Sequence, residues 1–362
     1  MKNIIAIFSV ILSIGQVTAL QEPEVEKAYN ESDQQSQLNA LYEKVDAHIK
    51  SEKRMTQDVV NNAKDAYELA LKLNAKKETI SAVGFLYIQA MGDNFNQKEK
   101  EEVLLRVYEL DRGSDYFVDT GVELVRYYVR SKKMNKASGI AQELLNTKED
   151  KSSKADLMLL LGNEFYFGDL DRARKYFVHA AEHYKETNNP KIAMTNFMLG
   201  KYYLAKENHE TASKLLSESV EQFSLIPEYQ KQSQIAESFL LNAYIQQGEN
   251  ELANRLCQKI GREREWDDGK DIEALYIVNP QYPNKAVRNK EKAELRYSFL
   301  VDTNGFAKNF KLIEFQGDKE YKSTFDEAAV AAIKNWRFAP KFEDGKSVEA
   351  EAYYTIVFKI AE

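Results

Sequence analysis

Two histidines, His179 and His183, stand four residues apart and would share one face of a helix, a spacing that can hold a metal ion. The zinc-protease pattern wants a glutamate directly after the first histidine, but Ala180 stands there and no third ligand is evident. Metal binding is not expected. The single cysteine, Cys257, excludes a disulfide framework and any multi-cysteine metal site, and it reads as a small buried residue on the packing side of a helix. There is no Gly-rich phosphate loop and no nucleophile elbow. The acidic residues are scattered as on solvated helix faces, so nothing marks an acid/base pair. Neither an enzyme nor a cofactor is expected. The net charge of −7 repels a phosphate backbone, which argues against nucleic acid as a partner. What remains is recognition of other proteins.

The elements that could position such recognition follow from composition. A chain of 362 residues is long enough for two or three domains with ample core. Only 15 Gly and 6 Pro disfavour linker-rich and many-turned all-β readings, so long helices are the default. At the start, Lys2 precedes an apolar run from Ile4 to Ile14, followed by Val17-Thr18-Ala19 with small residues where a signal peptidase cuts. Residues 1–19 therefore read as a secretory signal cleaved after Ala19, with a retained inner-membrane helix as the alternative. Cleavage would place the mature chain outside the cytoplasm. Residues 20–37 are polar and acidic and are expected to form a mobile leader.

From residue 38 to 262 the chain reads as helix after helix. Segments beginning at Glu123, Leu159, Phe197 and Phe239 align with one another, and their anchoring alanines Ala137, Ala173, Ala212 and Ala253 lie 36, 39 and 41 residues apart. That is a repeat period. Gly162 and Gly200 allow close helix approach, while Phe165, Tyr203 and Tyr244 fill the groove against the small alanines. One such hairpin cannot bury its own apolar stripe, so several must stack into a solenoid. With Leu161-Gly162-Phe165 and Leu199-Gly200-Tyr203 in place, these segments resemble tetratricopeptide (TPR) repeats, although the spacings exceed the usual period. Residues 63–73 and 81–91 are read as part of the same array. The resemblance implies an interaction scaffold with a protein or peptide ligand.

Between Gly261 and Pro283 the helical period stops, and residues 263–280 are expected to be a linker. From Ala293 the pattern has period two, with Leu295, Tyr297, Phe299 and Val301 on one face. Asn304-Gly305 signals a hairpin, with a return strand over 306–315. Phe325, Ala328, Ala329, Ala332, Ile333 and Trp336 then form a helical stripe, for which Thr324 and Glu327 supply a capping-box pattern and Pro340 a stop. After a turn at 343–345, Tyr354, Ile356 and Phe358 alternate with Tyr353, Thr355 and Val357 in a closing strand. The order is β-β-α-β. The fold class is thus α+β, a helical repeat array followed by a small mixed domain over 281–362.

That order, with Tyr282-Pro283, Val-Asp-x-x-Gly at 301–305, Phe-Asp-x-Ala-Ala at 325–329 and Trp-x-Phe-x-Pro at 336–340, resembles the TonB C-terminal domain. The family usually has a glycine before its first strand, where this chain has Asn289-Lys290-Glu291-Lys292, so a different lead-in is expected. The resemblance implies partners among TonB-dependent outer-membrane receptors or other TonB-system proteins, gripped when an extended segment adds to a sheet edge. It maps partner binding to Tyr353, Tyr354, Thr355, Ile356, Val357 and Phe358, with Tyr282 and Pro283 close by. Alternation turns Tyr354, Ile356 and Phe358 toward the core and leaves Tyr353, Thr355 and Val357 for the edge. Anchored energy transducers of this family carry a long Pro-rich spacer, which is missing here. The expected role is therefore a transport accessory. A membrane-anchored transducer and a structural cell-envelope or peptidoglycan-associated protein are the alternatives.

Overall fold

The computed structural model describes residues 22–51, 54–92, 97–114, 116–267 and 271–360, with side chains from Ser32 onward. The signal segment lies outside the described residues. The chain divides into two compact units, Met1–Thr147 and Lys148–Glu362. Among the described residues no helix is long and apolar enough to cross a membrane.

The first unit holds α1 (Glu22–Lys50), α2 (Gln57–Lys72), α3 (Lys77–Met91), α4 (Gln97–Leu110), α5 (Phe117–Arg130) and α6 (Met134–Asn146). The polar segment 22–37, expected as a mobile leader, is instead the first half of α1. Its Glu, Gln, Lys and Ala content favours a helix, and the second half of the same helix buries Leu38 and Val45.

The second unit begins with α7 (Lys151–Phe165), α8 (Leu170–Glu186), α9 (Ile192–Ala205), α10 (His209–Ser224), α11 (Gln230–Gln247) and α12 (Asn250–Glu263). Asp150, Asp169 and Asn208 cap α7, α8 and α10 by accepting from the backbone N–H three residues on. All four anchoring alanines are essentially sealed from solvent. The repeat glycines do what their spacing implied: a Cβ on Gly162 would stand 2.5 Å from the Phe177 ring, and one on Gly200 2.5 Å from Leu216. Two further glycines missed by the sequence alignment play the same part in the first unit. A Cβ on Gly121 would stand 2.5 Å from Leu144, and one on Gly84 2.5 Å from Val107. The helical repeat array thus includes α3 to α6 as well as α7 to α12.

A prediction follows from this contrast in space. Gly162→Ala should destabilise by about 1–3 kcal/mol because the buried Phe177 ring has nowhere to go. Gly139→Ala, in α6 with nothing within 4 Å of the new methyl, should instead be neutral or stabilising by up to about 1 kcal/mol. Thermal unfolding of the two variants checks both signs.

After α12 come β1 (Ala274–Tyr276), α13 (Asn284–Arg288), β2 (Ala293–Val301), β3 (Ala307–Gly317), α14 (Lys322–Ile333), β4 (Arg337–Phe338), β5 (Lys341–Glu343), β6 (Lys346–Val348) and β7 (Ala350–Phe358). The main sheet has the antiparallel order β3-β2-β7. Leu295, Tyr297, Phe299 and Val301 of β2 meet Phe325, Ala329, Ala332 and Ile333 of α14 in one core. The expected β-β-α-β frame is present, with α13 as the altered lead-in and two small pairs, β1-β4 and β5-β6, added.

Three local expectations are corrected. Thr324 and Glu327 form no capping box: α14 begins two residues earlier, behind a short turn headed by Asp318, and the Thr324 hydroxyl donates to Tyr321 O. The Asn304-Gly305 turn is longer than a two-residue hairpin. Asp302 Oδ1 accepts from both Asn304 N and Phe306 N at 2.9 Å, and Gly305 takes φ +84°. Finally, the expected linker over 263–280 is folded onto the rest in its described part, through residues 274–276. Leu275 and Tyr276 of β1 join the core of α9 to α12, where Ala339 also packs. Gln258 Nε2 on α12 donates to Thr303 O at 3.1 Å and Asn304 Oδ1 at 3.2 Å, and Arg262 lies over the Phe342 ring. A Cβ on Gly261 would sit 2.3 Å from Pro340 O. The polar composition of 263–273 hid this docking, because its apolar contacts come from the short 274–276 run.

Candidate functional site

The sheet has two edges, and they differ. β3 pairs with β2 through two register shifts, one on each side of Tyr297-Ser298, and Asn309 takes a positive φ of 57°. With Lys308 and Lys311 along it, β3 is a bulged and charged edge that resists pairing. β7 pairs with β2 without interruption from Ala293↔Phe358 to Val301↔Ala350. It is the regular edge.

Alternation along β7 sorts its side chains and its backbone. Ala352, Ile356 and Phe358 are buried in the core, and Tyr354 lies half-buried with its ring 4.9 Å from that of Trp336. Burial, with the nearby carboxylates of Asp271 and Glu273, pushes the Tyr354 phenol upward. Tyr353, Thr355 and Val357 point to the other face, where Val357 is 45% exposed. Because Tyr353 O accepts from Ile272 N at 2.8 Å on the side away from β2, the outward backbone groups of β7 are those of Glu351, Tyr353, Thr355 and Val357. Among the described residues no backbone group pairs with those of Thr355 or Val357.

Tyr353 is met by the segment just before β1. Asp271 forms a parallel bridge with it. The Asp271 carboxylate accepts from Thr355 Oγ1 at 2.8 Å and lies 3.0 Å from the Arg296 guanidinium, which itself stands over the Tyr353 ring. The six mapped residues of β7 are thus brought together on one strand, three toward the core and three toward the open side. Tyr282 is placed otherwise: its ring packs edge-on against Phe325 and Phe358, and its hydroxyl donates to Glu291 O at 2.6 Å. It supports the C-terminal end of β7 from the core. Pro283 caps α13 beside it. Asp271, Ile272 and Arg296 were missed in the sequence, since a parallel contact between residues more than 80 apart leaves no local signal.

Residues 278–360 match the family model described as Gram-negative bacterial TonB protein C-terminal. This segment is similar to TonB C-terminal domains. The open strand β7 and the helix α14 both lie within it, whereas Asp271, Ile272 and β1 precede the matched residues. The chain aligns with the crystal structure of BtubC from P. vanneervenii at 13% identity and a TM-score of 0.32, over 69% of this chain and 98% of that one. A Signal Transduction ATPase with Numerous Domains carrying a tetratricopeptide repeat sensor, from Pyrococcus horikoshii, aligns at 13% identity and a TM-score of 0.30, over 63% of this chain and 46% of that one. A circular tandem repeat protein aligns at 14% identity and a TM-score of 0.18, over 67% and 56%. No curated protein matches the chain.

The other residues singled out for chemistry are placed as follows. His179 is exposed on α8, 3.4 Å from Glu182 on the same helix. Cys257 is fully buried against the C-terminal domain, and burial pushes its thiol up to about 12, leaving no thiolate at neutral pH. On the array, the Lys201 ammonium stands 4.7 Å from the centroid of Tyr166, 5.3 Å from Phe197 and 5.4 Å from Phe239, and burial holds its pKa below the ordinary lysine value.

Proposed function

We propose that the chain is a periplasmic, non-catalytic accessory of TonB-dependent outer-membrane transport, in which the C-terminal domain binds receptor segments by strand addition and the repeat array holds a second protein or peptide. One observation carries the reading: β7 is an unbulged edge strand whose outward groups at Thr355 and Val357 have no backbone partner among the described residues. The family match supports it. So does the contrast with β3, whose bulges and lysines suit an edge kept free.

The energetics favour a partner that engages and lets go. A six-residue segment gains about 1 kcal/mol net per backbone hydrogen bond and loses about 1–2 kcal/mol per residue ordered, so the backbone terms roughly cancel. The surplus must come from side chains against Tyr353, Thr355 and Val357. The docking of the domain on α12 fixes β7 relative to helices α7 to α12, the part of the array that belongs to the same compact unit.

Fluorescence anisotropy with labelled N-terminal peptides of TonB-dependent receptors from the same organism tests the proposal. The reagent is the whole chain without residues 1–19, because a fragment starting at 280 would lack β1 and Asp271. Saturable binding in the range of about 1–100 µM is expected, equivalent to about −5 to −8 kcal/mol. No binding by any such peptide would contradict the proposal.

A further inference from the structure

The open edge of β7 is not open along its whole length. At Tyr353 the chain's own Asp271 and Ile272 lie alongside it as a short parallel strand. The arrangement imitates an incoming segment in each respect. Ile272 N donates to Tyr353 O, Ile272 packs its side chain against the core, and Asp271 on the opposite face takes the hydroxyl of Thr355 and the guanidinium of Arg296. Two residues later the chain turns away, with Ala274 pairing to Phe338 of β4. The outward groups of Thr355 and Val357 are left without a continuing strand.

We propose that Asp271 and Ile272 form a built-in competitor for the partner seam, a plug that an incoming segment must displace to pair at Tyr353. This inference rests on the proposed reading of β7. With the plug seated, a visitor finds beyond Tyr353 only the outward groups of Thr355 and Val357, too short a stretch for backbone pairing to exceed its ordering cost. Displacing Asp271 and Ile272 lengthens the stretch through Tyr353 and exposes Thr355 Oγ1 and Arg296. Those two groups then favour a partner carrying a carboxylate or another acceptor at the place Asp271 leaves. The plug is suited to release. Asp271 is exposed, its ion pair with Arg296 is partly solvated, and an exposed pair holds weakly. The next strand, β1, remains fixed by its own pairing with β4 and its burial against α11 and α12, so release costs only the two plug residues.

The test compares four forms of the whole chain lacking residues 1–19 in binding to one N-terminal receptor peptide, with β7 amides followed by NMR. The forms are the natural sequence, Asp271→Ala, Ile272→Pro, and a pair of Asp271→Cys with Tyr353→Cys that can be oxidised. Asp271→Ala removes both side-chain contacts, and Ile272→Pro removes the donated N–H. Each is expected to bind about tenfold tighter, because one backbone bond and an exposed charge contact no longer compete. The double-cysteine form, in which Tyr353 itself is replaced, is compared with its own reduced state: oxidised, with the plug locked, it should bind at least about tenfold more weakly than reduced. Equal affinity of the natural, Asp271→Ala and Ile272→Pro forms, with shifts still along β7, would overturn the plug and leave the seam standing. Binding by no form, the plug-free ones included, would overturn the reading of the seam itself.

Discussion

Replacing Val357 by proline is expected to weaken receptor-peptide binding at least about tenfold, a loss of about 1.4 kcal/mol or more, while the domain stays folded. Proline lacks the N–H that Val357 turns away from β2, and its ring fills the space where a pairing strand would lie. One lost hydrogen bond accounts for about 1 kcal/mol, and the obstruction of the ladder on either side supplies the rest. The fold survives because the β2 ladder uses the groups of Ile356 and Phe358, which face the other way. Edge strands tolerate proline where the N–H faces solvent. The residue before it, Ile356, is already extended, as proline requires. Anisotropy titration gives the affinity, and thermal unfolding should fall by only a few degrees, about 1–2 kcal/mol. Val357→Ala, which keeps the N–H, should bind with at most a severalfold loss.

The second large effect is on stability. Gly305→Ala should destabilise the C-terminal domain by about 3–5 kcal/mol, summing backbone strain and overlap. Two independent faults meet there. Gly305 has φ +84°, and a Cβ would sit 2.2 Å from Phe338 O, a backbone atom that no rotamer change can move. Its own carbonyl accepts from Phe338 N at 2.9 Å, so the hairpin and β4 cannot separate without losing that bond. Cys257 of α12 lies 3.4 Å from the same point, which closes the third side. Gly345→Ala is the control: φ is +76° but nothing lies within 4 Å, so the cost should be near 1 kcal/mol. The chain's 2 tryptophans, Trp266 and Trp336, both pack in this domain, so their fluorescence during urea unfolding reports on it. Equal losses for the two variants would show that close approach at Gly305 contributes nothing.

Much of this was legible in the sequence where a pattern was local. Period two from Ala293 and the helical stripe from Phe325 gave the main sheet and α14, and the alternation of Tyr354, Ile356 and Phe358 gave the core face of β7. The recurrence of a small residue on one helix and an anchoring alanine on the next gave the array, with Gly162 and Gly200 read as points of close approach. It failed at Gly121 because the copy read from Glu123 began just past its own glycine, and at Gly84 because residues 81–91 lay outside the aligned copies. β1, β5 and β6 have three residues each, too few to show a period. The docking of α12 was hidden for another reason. Gly261 read as the end of a helix, whereas it is a helical residue made small so that Pro340 can approach. The contact of Asp271 with Tyr353 is set by tertiary geometry alone, since a two-residue parallel pairing has no composition of its own.

The most direct test of the account is amide hydrogen exchange of the whole chain with and without a saturating receptor peptide. Strand addition on β7 predicts that the Thr355 and Val357 amides slow by about tenfold or more on binding, while the outer amides of β3 do not change. Binding that leaves Thr355 and Val357 unprotected, or that protects β3 in their place, would contradict it.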